Sequence, residues 1–461
     1  MKRILFLLIF LTAFRVQAQD EFAKIPLPHK SVDKFYQVAD NDGNICYLMY
    51  RKSQLYFYFI NSYGELVKEV KVPHKGLPEI TNTHFTDKSF MFFYQPRSVK
   101  KEGHIAALII DKTTGEFTKH TQYKLLGPKE EMITSFGQNG HFYIMTAQRK
   151  TGIIWLTKFV NETTIEKKQF TYKLPLTYDL LSQAQTFLPV DRMIRKSIFL
   201  FSSGQKLYVN GNYIYFTFDD PRYLKTFIWA INWEQGTSEI ISIPEKNIGI
   251  GTSSNSILNG NKLFRLTLDK DHMDLSVYNL HNGELADNFD YAGSERIKIK
   301  KGPIYSIYEL ERRFGQESEA DMTRIYKIFS KGMASIYVDD EFNGIIKLTM
   351  GSYNPTSSGL SIGGAFGSFG SNVGISIGGS KQLTGVKQGS YFFNSYLTFP
   401  DLEIYSEGRT TATERINLYE NKLNLQPSST FYYREYYYID KVHYAYVDRK
   451  DRSVKIIQFA R

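Results

Sequence analysis

Residues 107–122 read ALIIDKTTGEFTKHTQ. An apolar run stops at Asp111, a short polar stretch leads to Gly115, and a second run with alternating character starts beyond it. This is strand, tight turn, strand, because glycine takes a positive φ at no steric cost. The same text recurs as FYFINSYGELVKEVKV (57–72, Gly64), IWAINWEQGTSEIISI (228–243, Gly236) and SVYNLHNGELADNFDY (276–291, Gly283). Two degenerate copies extend the series. LTKFVNETTIEKKQF (156–170) puts Ile165 where the glycine would stand, and IYKIFSKGMASIYV (325–338) keeps Gly332 without an Asn or Asp before it. Successive spacings are 51, 50, 71, 47 and 49 residues. The long gap holds an extra segment, 174–196, with room for a short helix.

A second element precedes most of these turns: a glycine, a small polar residue, then a Tyr/Phe-rich strand. DNDGNICYLMY (40–50), QNGHFYIMTAQ (138–148), NGNYIYFTF (210–218) and LNGNKLFRLTL (258–268) carry it. Each unit therefore predicts a four-stranded antiparallel sheet, and repeats of this length with several strands each predict a β-propeller. The expected fold is all-β, with about seven blades, six and eight being the alternatives. The composition agrees: 33 Tyr and 34 Phe stand against 3 Trp and 14 Pro, and helical periodicity is scarce. The stretch 431–460, rich in tyrosine, reads as a last blade that pairs with a strand near DKFYQVAD (33–40). Phrases such as DNDGNICYL and DKTTGEF resemble the blade hairpins of secreted propellers. That resemblance is architectural, covers most of residues 30–345 and the C-terminal stretch, and implies no activity.

The chain opens MKRILFLLIFLTAFRVQAQD. Lys2 and Arg3 precede an apolar run over 4–14, too short to cross a bilayer, and Val16-Gln17-Ala18 offers a small residue for cleavage. Residues 1–18 are thus read as a secretory signal peptide and 19–461 as a single propeller domain. The expected destination is the periplasm, the outer surface or the medium, with no membrane span after cleavage. A lone cysteine, Cys46 in an apolar run, excludes an internal disulfide and reads as a buried, inert thiol. The formal charge of +10 drops to +7 without the signal, with no long basic block, which argues against a nucleic-acid partner.

Residues 359–379 contain GLSIGG and GISIGG, two G-x-S-x-G matches around Ser361 and Ser376. A nucleophile elbow needs a helix after the serine, and none follows here. Period-two alternation reads instead as a hairpin within a Gly/Ser-rich insertion at 351–390. Its apolar residues Leu360, Ile362, Phe366, Phe369, Ile375 and Ile377 are the candidate partner contacts. The nine histidines lack metal-ligand spacing, DKDHMD (269–274) and Asp40–Asn44 read as polar hairpin turns, and no cofactor motif occurs. The expected function is non-catalytic: a binding or scaffold protein of the periplasm or surface, with an envelope protein or glycan as partner. The alternative is a propeller enzyme acting on carbohydrate, with catalytic acids drawn from the strand ends Asp219, Asp220, Asp339 and Asp340. A further alternative uses the Gly-rich hairpin to add a strand to a partner sheet.

Overall fold

The computed structural model describes residues 20–27, 32, 34–75, 80–94, 104–124, 130–138, 141–148, 151–171, 188–189, 204–220, 225–244, 252–306, 322–341, 344–354, 390–405, 433–438, 441–448 and 450–460. The signal segment, the six hairpin residues Leu360 to Ile377, and all of the 174–196 insertion but Leu188 and Pro189 lie outside the described residues.

The first strand among the described residues is β1 (Asp20–Pro26). The first sheet follows as β2 (Lys34–Ala39), β3 (Ile45–Arg51), β4 (Gln54–Ile60) and β5 (Leu66–Pro73). The second is β6 (Ile80–Phe85), β7 (Ser89–Tyr94), β8 (His104–Asp111) and β9 (Phe117–Lys124). The third is β10 (Glu130–Gln138), β11 (His141–Gln148), β12 (Ile153–Phe159) and β13 (Ile165–Thr171). The fourth carries a two-residue parallel strand, β14 (Leu188–Pro189), on the edge of β15 (Gln205–Asn210), β16 (Tyr213–Asp220), β17 (Lys225–Asn232) and β18 (Thr237–Pro244). The fifth is β19 (Ser253–Asn259), β20 (Lys262–Leu268), β21 (His272–Asn279) and β22 (Leu285–Ala292). Then come β23 (Lys301–Ser306), the helix α1 (Met322–Phe329), β24 (Met333–Glu341), β25 (Ile345–Tyr353) and β26 (Tyr391–Thr398), whose strands form the sixth sheet in the order β23-β26-β25-β24. The seventh joins β27 (Tyr433–Tyr438), β28 (Lys441–Asp448) and β29 (Ser453–Ala460) to β1.

The described residues are therefore all-β but for α1, with seven antiparallel sheets of four strands apart from that short parallel addition, and the repeating meander fits a propeller-like arrangement. The quoted turns join the third and fourth strands of their sheets, and Gly64, Gly115, Gly236 and Gly283 all have φ between 67° and 86°. Gly64 has a second constraint: a Cβ there would lie 1.9 Å from the carbonyl oxygen of Phe22 on β1. The Asp40 turn is built as a local hydrogen-bond loop, with Oδ1 accepting from the amides of Asp42 and Asn44. Cys46 is buried on β3, and burial raises its thiol pKa.

Contacts divide the chain into two compact units, residues 1–77 with 412–461, and residues 78–411. In the first, the seventh and first sheets share a core of Ile25, Phe35, Tyr47, Tyr58, Val447 and Ile456. In the second, successive sheets pack through apolar faces: Phe93 and Phe142 join the second and third, Leu156 and Trp229 the third and fourth, and Ile228 and Leu266 belong to the core that spans the fourth to the sixth. The last strand of a regular sheet is its solvated edge, as the alternating exposure along Leu66–Pro73 shows.

Two expectations are corrected. The C-terminal strands pair not with residues 33–40 but with β1, in a register that sets Asp20 against Gln458 and Pro26 against Ser453. Residues 34–39 instead start the first sheet. The apolar run IYKIF is not a hairpin strand but part of α1, which buries Met322, Ile325, Tyr326 and Phe329. Those positions fall at i, i+3, i+4 and i+7, one face of a helix.

Candidate functional site

Side chains on one face of a strand recur every second residue, and cross-strand partners share a face. On the fourth sheet Lys206 stands opposite Thr217, and Asp219 opposite Thr226. On the fifth, Ser256 stands opposite Arg265, and Arg265 opposite Ser276. The two rows meet in a polar seam inside an otherwise apolar contact. Asp219 Oδ2 accepts from the Ser256 amide (2.8 Å) and hydroxyl (3.0 Å), and Asp219 Oδ1 accepts from the Thr226 hydroxyl (2.8 Å). The Lys206 ammonium donates to Asn255 Oδ1 (3.1 Å) and to the Ser256 carbonyl (2.7 Å), and lies 4.0 Å from Asp219 Oδ2.

Lys206 and Arg265 are both fully buried. Burial pushes the Lys206 amine down to about 8, against the opposing pull of the Asp219 charge. Arg265 donates through Nη2 to the Tyr278 hydroxyl (2.7 Å), and its guanidinium sits 4.9 Å from the centre of that ring. Asp274, also buried, accepts from Ser276 (2.6 Å).

Asp219 is the one candidate acid whose side chain is described, and its charged partner is a lysine rather than a second acid. Asp220 ends β16, opposite Lys225; Asp339 and Asp340 lie on β24, opposite Lys347 and Ile346. Their side chains lie outside the described ones. Lys206 and Arg265 escaped the sequence reading because QKLYVN and KLFRLTL look like strands with one solvated face. One signal was available: neither strand is the last of its four, so neither is a solvated edge.

A second polar group lies between the second and third sheets. The imidazoles of His84 and His141 are 5.5 Å apart, and Glu162 accepts from the hydroxyls of Thr86 (2.9 Å) and Ser89. Burial, with lesser contributions from Lys158 and His84, pushes the His141 pKa down to about 4. Burial pulls the Glu162 carboxyl up, but the hydroxyl donors win and hold it below its ordinary value. Among the described residues no three His, Cys, Asp or Glu side chains gather as a metal site. Among them, too, no helix is long and apolar enough to cross a membrane.

No protein-family model and no curated protein matches the chain. Solved structures similar to it include an ACO/RPE65 chimera (11% identity, TM-score 0.30, 56% of this chain and 62% of that one). A mutant of the Synechocystis apocarotenoid oxygenase is similar at 10% identity and TM-score 0.30, over 58% and 63%. The cobalt-substituted form of that oxygenase is similar at 11% identity and TM-score 0.29 over the same shares. The chain thus spans less than two thirds of these structures. The expected non-catalytic binding or scaffold role does not agree with these neighbours, which are oxygenases by name, and is not carried further; at such scores neither their activity nor their substrate nor their metal is carried over.

Proposed function

We propose that the chain is an exported enzyme, built as one propeller whose blades are the seven sheets, and that the Lys206 amine is its base. One observation carries the reading: a fully buried lysine, pushed down to about 8, is held beside a carboxylate in a seam of polar side chains. Strongly perturbed titratable groups concentrate where chemistry is done. At slightly alkaline pH about half of such an amine is unprotonated, so its lone pair takes a proton from an acidic C–H or O–H. Asn255 Oδ1 and the Ser256 carbonyl aim the nitrogen, and Asp219 stabilises the ammonium that forms. Removal of residues 1–18 would accompany export, and mature protein from the cell envelope is expected to begin at Gln19 when read by N-terminal sequencing.

The test is amine reactivity in the folded protein. Reductive methylation with formaldehyde and cyanoborohydride, read by peptide mass spectrometry, is expected to modify Lys206 with a midpoint at about pH 8, roughly two units below an ordinary lysine. The exposed Lys270 and Lys298 are the internal references. A Lys206 that stays unmodified up to about pH 10, while those references react, sinks the reading.

A further inference from the structure

Arg265 is a buried cation that the described side chains do not neutralise. A guanidinium keeps its charge at every physiological pH and brings five N–H donors. Here the side chain is fully buried, and its polar contact is the Tyr278 hydroxyl. Its Nε and Nη1 meet no hydrogen-bond partner among the described residues, and no carboxylate among them lies within ion-pair distance. Thr217 Oγ1, buried on the face that carries Lys206, is likewise unmatched among the described residues. Leaving a charge buried without a counter-charge is among the costliest arrangements a fold can adopt. Asp219 accepts from Thr226 and Ser256, and Asp274, two residues along β21 from the Ser276 that faces Arg265, accepts from Ser276 through Oδ2.

We propose that Arg265 is the anchor of an internal site for a small carboxylate anion between the fourth and fifth sheets, adjoining Lys206. The planar fork of guanidinium donors matches two carboxylate oxygens. Ser256 links the two cations: it stands opposite Arg265 across the ladder, and its carbonyl accepts from Lys206. This inference rests on the seam being the working site and names its substrate class, a small organic acid.

The experiment is a thermal-shift titration of the full mature chain with acetate, against chloride at equal ionic strength. Acetate is expected to raise the unfolding temperature saturably and chloride is not, because a ligand that binds the folded state alone stabilises it by mass action. Arg265→Met is expected to abolish the acetate response. Arg265→Lys keeps the charge without the fork and is expected to weaken it about tenfold in half-saturating concentration. Should the methionine variant fail to fold, the lysine variant alone decides. Equal responses to acetate and chloride overturn the proposal, as does an undiminished acetate response in the variants that fold. A crystal structure with a carboxylate of the chain itself on Arg265 does the same. Lys206 methylation is read separately, so loss of the anion site with a retained midpoint near pH 8 removes this inference and leaves the base assignment standing.

Discussion

The seam between the second and third sheets and the seam between the fourth and fifth solve one problem in opposite ways. Both join neighbouring sheets of the same unit, and both put ionisable groups into the contact. The first keeps its charge near turns: Glu162 sits in the β12–β13 turn and takes hydroxyls from the β6–β7 turn, while the imidazole of His141 is held uncharged. The second buries lysine, aspartate and arginine outright. Where charge stays at a rim, the network acts as a clip between turns. Where it is driven inside, the seam carries an electrostatic cost that packing alone does not demand.

The largest effect should come from breaking the inner network. Asp219→Leu strips the carboxylate from Lys206 and strands the donors of Ser256 and Thr226, so it should cost about 3–5 kcal/mol in urea unfolding. Glu162→Gln at the rim keeps hydrogen-bonding capacity and should cost about 1 kcal/mol. Equal losses would erase the distinction between the seams.

The second test separates the seams by pH. The native Lys206 amine lies near 8 and the unfolded one near its ordinary 10.5. Between these values the unfolded chain holds a proton that the native state has shed. Stability therefore rises with pH across that window, by up to about 3 kcal/mol. Native His141 lies near 4 against an ordinary 6.5, so its contribution is complete above 6.5 and is lost as pH falls to 4. Lys206→Met should flatten the alkaline rise and leave the acid limb, and His141→Phe should do the reverse. Thermal midpoints of the two variants and the parent chain across both windows check it. The smallest effect belongs to the junction between the third and fourth sheets, where Lys168 lies 4.9 Å from the Trp233 ring centre and donates to the Glu234 carbonyl. Lys168→Ala should cost about 1 kcal/mol or less by the same unfolding assay.

The repeating turns were legible because their chemistry is local: a glycine with positive φ is a property of a few residues, and Gly64, Gly115, Gly236 and Gly283 stand at equivalent turns. Even Ile165 follows a turn, closed by Asn161 accepting from Thr163 and Thr164 rather than by glycine. The sixth sheet was not legible. An eight-residue helix presents only two turns of periodicity, and its start at Met322 lay outside the quoted repeat. The expected N-terminal partner strand failed for a related reason: DEFAKIP over Asp20–Pro26 mixes acids and a lysine with few apolar residues, and its place is decided by β29. Asp219 was legible as an acid at the end of a strand. Its meaning was not, since Lys206 and Ser256 reach it through a contact between sheets that no local pattern encodes.

The pairing of β1 with β29 also fixes an order of events. Asp20 and Gln458 are partners across more than four hundred residues. Closing so long a loop costs about 5 kcal/mol of chain entropy before any other contact offsets it. The sheets that meander in sequence can form as soon as their own residues are available. The seventh waits for β29, so β1 stays unmatched until more than four hundred further residues have been made.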